Sequence, residues 1–377
     1  MAKRGNSEGS IYKRKDGRWA ATVATSEGKR RTFYGKTRAE AHSKLQTAQR
    51  ALTNGLPLVG ELETCESFLQ RWLRDTATRK VRPRTLERYE AITRQHLIPS
   101  LGRVRLARLT PGHVERMMNE GLARGLSPQT VAHHRAVLRG ALNVGVRHGI
   151  VIRNAATLAD PPRIPQREFQ ALTLDSAKKL LSAVQGDRLE ALFTVALSLG
   201  LRKGEALGLR WSDVDLDHGQ LSVRRTLQRM ASQWVFLEPK TQSSRRTIAI
   251  PAQVTESLRT HRSRQLEERL QVGPSWNGQL WEDLVFADEL GQPLSGFYVS
   301  RRFKKLLSDA GLPTMRYHDL RHGAASLMAA LGIPPRVAMD ILGHAQISTT
   351  MNIYAHVAPE LQRDAADRVA SALWATG

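Results

Sequence analysis

Alternating apolar and polar positions open the chain. Gly9–Lys13 and Arg18–Ala24 flank Asp16-Gly17, and Glu27-Gly28 leads into Lys29–Tyr34. An Asp-Gly pair between alternating segments is a hairpin signal, so three short strands are expected here. The period then changes. Ala41, Leu45, Ala48 and Leu52 recur at helical spacing behind Thr37 and Glu40, a Thr-x-x-Glu capping box. The opening segment therefore reads β-β-β-α.

Asn54-Gly55-Leu56-Pro57 reads as a linker. From Thr64 to about Ile152 the pattern is helical throughout. Phe68 and Trp72 stand four apart in a first helix, and Pro83 starts a second that runs to about His96. Thr110-Pro111 starts a third and Ser127-Pro128 a fourth; Ser or Thr before Pro supplies a cap and a first turn together. Asp160 to Pro165 is a second linker, stiffened by its prolines. Beyond it, Leu172–Val184 and Leu189–Leu201 read as helices. Gly219–Gln228, Gln233–Leu237 and Arg246–Ile250 read as strands, and helices return to the end. A last helix over about Pro359–Ala375 carries Leu361, Ala365, Val369 and Leu373, a stripe that calls for burial in its own domain or on a neighbour. Phe68, Trp72, Trp211 and Trp374 read as core. The expected fold class is mainly α with small β-sheets, in three domains spanning 1–57, 62–158 and 167–377, the last mixed α/β but mostly α.

Charge sharpens this picture. The net charge is +22, and it is unevenly spread. Residues 1–60 carry thirteen Lys and Arg against four Asp and Glu, and residues 61–165 carry eighteen against nine, whereas residues 166–377 carry twenty-six against twenty-two. A polyanion partner, most simply double-stranded DNA, follows for the first 165 residues. Lys13, Arg14, Lys15, Arg18, Lys29, Arg30 and Arg31 lie on or near the three strands, and a small cationic sheet suits a major groove. Arg84, Arg88, Arg94, Arg135 and Arg139 give the helical segment phosphate-reaching groups; the adjacent His133 and His134 read as groove-facing or surface residues, not metal ligands. No apolar run approaches bilayer length, the start has no apolar signal core, and the single Cys65 fits a reducing compartment, so a cytoplasmic setting is expected.

Four constellations carry chemistry. Arg202 follows an apolar helix and a glycine, with Glu205 three residues on to orient it. Lys240 lies between two expected strands, read as a hairpin tip that reaches into a groove. His318, Arg321 and His322 share one helix face. His344 follows Leu342-Gly343, a helix stop, and Ser348 is expected to cap a new helix carrying Tyr354. A guanidinium set, imidazoles and a phenol so arranged point to work on a phosphate. His318 and His322 also have the spacing of a zinc pair, but Asp319 stands where the zinc-protease signature needs glutamate.

The ordered set Arg202, Lys240, His318-x-x-Arg321, His344 and Tyr354 resembles that of the tyrosine site-specific recombinases, or phage-type integrases. The block Leu199-Gly200-Leu201-Arg202 through Glu205, Trp211 and Asp213 is similar to theirs, as is Leu342-Gly343-His344 followed ten residues later by tyrosine. The resemblance covers most of the chain. It implies an arm-type DNA-binding domain at the start, a helical core-type DNA-binding domain and a catalytic domain, clamped around duplex DNA and acting as four protomers per synapse. DNA-bending or directionality proteins are possible further partners.

The physics agrees with that resemblance. Arg202 and Arg321 would grip the nonbridging oxygens, with permanent charge and paired donors. A tyrosine with an ordinary pKa near 10 must lose its proton as it attacks. His318 suits its acceptance. Lys240 would protonate the departing 5′ oxygen, and His344 would hydrogen-bond a phosphate oxygen; His322 is either a supporting or a core residue. The expected product is a 3′-phosphotyrosyl ester and a free 5′ hydroxyl. The ester keeps the bond energy, so no ATP, metal or other cofactor is required. Two rivals remain: a DNA-binding regulator without chemistry, and a type IB topoisomerase-like enzyme that nicks and reseals one duplex.

Overall fold

The computed structural model describes residues 9–24, 30–53, 63–165, 172–230, 232–238 and 245–355, together with 367, 370, 373 and 374. The chain divides into two compact units, Met1–Gln166 and Arg167–Gly377.

The first unit opens with β1 (Ser10–Lys13), β2 (Trp19–Ala24) and β3 (Arg30–Gly35), an antiparallel sheet in that order, followed by α1 (Arg38–Thr53). The Asp16-Gly17 turn is closed by Arg14 and Arg18 backbone hydrogen bonds, with Gly17 at φ +83°. The Glu27-Gly28 turn lies outside the described residues. Alternation puts Ala21, Val23 and the half-buried Ile11 and Phe33 against Ala41, Leu45 and Ala48 of α1. The expected capping box is shifted at one of its two bonds. Thr37 accepts from the Glu40 N–H at 3.2 Å, but the Glu40 carboxylate accepts from the N–H of Lys36, one residue before the cap.

A second apolar core in this unit is all helical. α2 (Cys65–Trp72) passes through a π-helical turn, Leu73–Ala77, into α3 (Thr78–Lys80). α4 (Pro83–Ile92) passes through another, Thr93–Leu97, into α5 (Ile98–Leu101). α6 (Pro111–Ala123), α7 (Pro128–Arg147) and the short α8 (Ala155–Leu158) complete it. Ser127 accepts from the Thr130 N–H, and Thr110 begins α6 with Pro111 in its first turn, as a cap followed by proline requires. Phe68 and Trp72 are buried. His134 differs from its surface reading: it is buried and stacks on His96, ring centroids 4.1 Å apart, because α7 turns that face inward.

The second unit begins with α9 (Leu174–Val184), α10 (Glu190–Leu199) and α11 (Lys203–Leu207). Two small sheets follow. β4 (Val214–Asp215), β5 (Gln220–Val223) and β8 (Arg246–Ala249) form one in the order β4-β5-β8, and β6 (Thr226–Met230) pairs with β7 (Gln233–Leu237) in the other. The single strand expected over Gly219–Gln228 is thus two strands in two sheets. The chain turns at Arg224-Arg225, where both side chains reach back to the buried Asp213. The hairpin expected around Lys240 is also corrected. β7 pairs with β6 and β8 with β5, so the segment between β7 and β8 joins two sheets; Lys240 itself lies outside the described residues.

α12 (Ala252–Val272), α13 (Gly296–Asp309), α14 (Tyr317–Ala330) and α15 (Pro335–Leu342) follow, and then a helical run over 347–355. That run begins early enough to put Ser348 inside its first turn, so Ser348 is not the cap. The main core joins α9, α10, α13 and the β5-β8 sheet around Phe193, Phe286 and Phe303. A smaller cluster packs Ile353 and Tyr354 on Ala325, Met328 and Ala329 of α14 and Ala338 and Leu342 of α15. Leu361, Ala365 and Val369 lie outside the described residues; Trp374, read as core, is 76% exposed. Among the described residues no helix is long and apolar enough to cross a membrane.

Candidate active site

The apolar α10 ends at Gly200, whose φ of +63° suits glycine. A Cβ there would stand 2.3 Å from Leu342 Cδ2. This tight stop brings the next residues under α14 and α15. Arg202 precedes α11, and its backbone N–H donates to Glu205 Oε2 at 3.0 Å. Its guanidinium donates to Glu205 Oε1 at 2.6 Å and to the Gly343 carbonyl at 2.9 Å. Glu205 is buried. Burial alone would raise its carboxyl, but the guanidiniums of Arg246 and then Arg202 hold it below the ordinary carboxylate range.

Arg321 lies on the first turns of α14, 4% exposed. Nη1 donates to the Gly200 carbonyl at 2.7 Å, while Nη2 is buried with no hydrogen-bond partner among the described residues. Desolvation first, and then the neighbouring Arg202, lower its pKa to about 9. A guanidinium held this way is a seat for an oxyanion. His344 follows Gly343, which ends α15 at φ +65°. His344 is buried, with Nδ1 2.8 Å from Thr350 Oγ1. Burial, then Arg321 and Arg202, push its pKa down to about 4, so it is neutral near pH 7. If the Thr350 hydroxyl donates to Nδ1, the proton sits on Nε2, the tautomer needed to donate to a phosphate oxygen.

His318 stands at the exposed start of α14. Partial desolvation, then His322 and Arg321, hold its imidazole below the ordinary range, the state a proton acceptor needs. His322 is half-buried and also shifted down, first by burial. The two rings meet edge to face at 4.9 Å.

Tyr354 is placed differently. It is 8% exposed, and its hydroxyl donates to the Ile333 carbonyl at 2.8 Å, beyond the far end of α14. Arg321 lies near the start of that helix, so at about 1.5 Å per residue the hydroxyl is held on the order of 10 Å along the axis from it. Burial raises its pKa. Arg202, Glu205, Arg321 and His344 are therefore brought together with His322 nearby, Tyr354 is held in the adjoining cluster, and Lys240 is outside the described residues.

The cations of the first unit are also distributed unevenly in role. Lys13, Arg30 and Arg31 are exposed on the strands and Arg14, Lys15 and Arg18 on the turn between β1 and β2, with Arg14 and Arg18 over the Tyr34 ring at 5.1 and 5.8 Å; Lys29 lies outside the described residues. Arg84 is exposed and pairs with Glu87, and Arg88 and Arg139 are exposed. Arg135 is committed internally: it donates to the Ala159 carbonyl at 2.7 and 3.0 Å and to that of Thr157. Arg246, Thr350 and the Ile333 carbonyl escaped the sequence reading. In the sequence Arg246 reads only as the first residue of the expected strand Arg246–Ile250, beside the Lys240 segment.

Two guanidiniums gathered with a neutral imidazole, and a phenol held in the adjoining cluster, fit one class, the tyrosine recombinases. The chain belongs to the Phage integrase family, whose description matches residues 170–360, and the N-terminal SAM-like domain of phage integrases matches residues 64–122. Members of this family break and rejoin DNA strands. A tyrosine recombinase XerC-like protein of Caldanaerobacter subterraneus subsp. tengcongensis is 30% identical over 354 residues, 90% of each chain. An integrase of Streptomyces ambofaciens is 30% identical over 374 residues, 94% of each. The solved Tn1549 transposon integrase in complex with transposon right end DNA shares the fold, with TM-score 0.69 and 24% identity over 81% of this chain and 99% of that one. A lambda integrase tetramer bound to a Holliday junction shares it at TM-score 0.56 and 20% identity, over 89% and 95%.

Proposed function

We propose that this chain is an integrase that joins two DNA sites by sequential single-strand exchanges, integrating or excising a mobile element or phage genome in the cytoplasm of a bacterial host. The observation that carries the reading is the buried Arg321, whose Nη2 has no hydrogen-bond partner among the described residues, beside Arg202 and a neutral His344. Arg202 and Arg321 hold the nonbridging oxygens of the scissile phosphate, and His344 donates to one of them. Tyr354 leaves the Ile333 carbonyl and its oxygen attacks phosphorus as His318 takes the phenolic proton. The bond to the 5′ oxygen breaks, and Lys240 supplies the proton to that oxygen. A 5′ hydroxyl from another strand reverses the step and restores the tyrosine. Glu205 orients Arg202, and His322 supports His318.

Residues 1–57 are assigned to arm-type sites and 62–158 to core-type sites, with the catalytic domain over 167–377. Four protomers act in the synapse, and DNA-bending or directionality proteins assist. The test uses a duplex nicked near the crossover, built from the element ends that flank the encoding locus. Covalent capture that depends on paired sites supports the reading. Absence of capture would indicate a regulator, and capture that needs no paired site a relaxing enzyme. Lys240→Ala should slow cleavage far more than it weakens binding, and equal losses in both would refute the proton-donor role.

A further inference from the structure

Outside the residues assigned above, one buried cation is tied to several of them at once. Arg246 leads β8, and its side chain is 7% exposed. Nη2 donates to Glu205 Oε2 at 3.1 Å, and Nε donates to the Ile341 carbonyl in the last turn of α15 at 2.7 Å. Its guanidinium also lies directly under the residue before His344: a Cβ on Gly343 would stand 2.7 Å from Nη1 and 2.9 Å from Cζ. Arg202 makes the matching pair of bonds, to the other oxygen of Glu205 and to the Gly343 carbonyl. Glu205, Arg202, the end of α15 and Arg246 therefore close a ring.

We propose that Arg246 is a positioning residue for strand cleavage, which sets the Arg202 guanidinium in register with the Gly343-His344 turn by gripping Glu205 and the end of α15 together. The inference rests on the roles proposed for Arg202 and His344. A carboxylate as buried as Glu205 needs more than one cationic partner to stay ionised, and Arg246 and Arg202 both hold it below the ordinary range, each from its own carboxylate oxygen. Without Arg246, Glu205 keeps Arg202 as its direct ion-pair partner among the described residues, and the Ile341 carbonyl at the end of α15 loses the donor that ties it to Glu205. A displacement of about 1 Å at such a site can cost about 100-fold in rate.

The experiment compares the full-length protein with Arg246→Met, Arg246→Lys and Arg202→Ala on the nicked duplex from the element ends. Capture rate at saturating enzyme and Kd for DNA are both measured. Each is repeated with a methylphosphonate at the scissile position, which removes the charge from one nonbridging oxygen. Arg246→Met should lose about 100-fold in capture with Kd within about twofold, as binding energy spread over many phosphates predicts. The loss should shrink at least tenfold on the methylphosphonate, because a defect acting through the grip on a charged oxygen vanishes with that charge. Arg246→Lys retains charge but not the forked reach; it should fall between, and serves as the reading if the Met variant does not fold. An equal defect on both substrates, or wild-type capture, overturns the inference. Wild-type capture by Arg202→Ala would instead overturn the site assignment, whereas a defect in Arg202→Ala alone removes only the role of Arg246.

Discussion

Replacing Arg321 by Met should damage catalysis and yet leave the DNA-free protein at least as stable. Arg321 is 4% exposed, with Nη2 unpartnered among the described residues, and desolvation with the nearby Arg202 lowers its pKa from the ordinary guanidinium range to about 9. At pH 7 the guanidinium is charged in both the folded and the unfolded chain, so the full deficit is present. It corresponds to about 5 kcal/mol against the folded state at 1.36 kcal/mol per pH unit. Methionine is unbranched and apolar and fills much of the same space, but it leaves the Gly200 carbonyl without its donor, which costs about 1–3 kcal/mol. The balance favours the variant by about 2–4 kcal/mol, in the range seen when buried charges give way to apolar side chains. For a unit of this size that raises Tm by about 5 °C or more. Covalent capture should fall by about 100- to 1000-fold, the usual cost of losing one donor to a developing oxyanion. Thermal melts without DNA and single-turnover capture on the nicked duplex read the two effects separately. A variant whose Tm falls by several degrees while capture stays within about tenfold of wild type would refute the argument.

Two further outcomes follow from the same geometry. Gly343→Ala must hold alanine at φ +65° against the Arg246 guanidinium; the left-handed backbone alone costs about 1–2 kcal/mol, so both Tm and capture should drop, and an unchanged melt would contradict the placement of Arg246. Because His318, His322 and His344 are all shifted below the ordinary 6.5, first by burial, they stay neutral as pH falls past that value. Capture at limiting DNA, which reports the free enzyme, should therefore hold steady from pH 8 to 6.5 and decline only below; a midpoint at 6.5 would contradict it.

Much of this was legible in the sequence where the signal is local. The Asp16-Gly17 turn, the Ser127 cap and the stop at Gly343 are short-range features, and each lies where the pattern put it, whereas the helix expected to reach Leu201 stops at Gly200. The ordered set from Arg202 to Tyr354 is legible through its resemblance to the family; the structure brings Arg202, Arg321 and His344 together, and Lys240 lies outside the described residues. What the local pattern does not carry is non-local. Arg135 reads like Arg139, but the carbonyls of Thr157 and Ala159, more than twenty residues away, take up its guanidinium. The break between β5 and β6 depends on Asp213 drawing Arg224 and Arg225 inward. Arg246 gains its meaning only from Glu205 and the end of α15, and the hold of Ile333 on the Tyr354 hydroxyl exists only once α14 and the run over 347–355 pack together.

The central claim is that the Tyr354 oxygen becomes esterified to the 3′ phosphate of the cut strand. The direct measurement is peptide mass spectrometry on the SDS-stable adduct trapped with the nicked duplex, alongside Tyr354→Phe. The account predicts a nucleotide on Tyr354, a free 5′ hydroxyl on the released strand, and DNA binding without any adduct in Tyr354→Phe. Recombinant joints formed with no adduct on Tyr354, or formed by Tyr354→Phe, would contradict it.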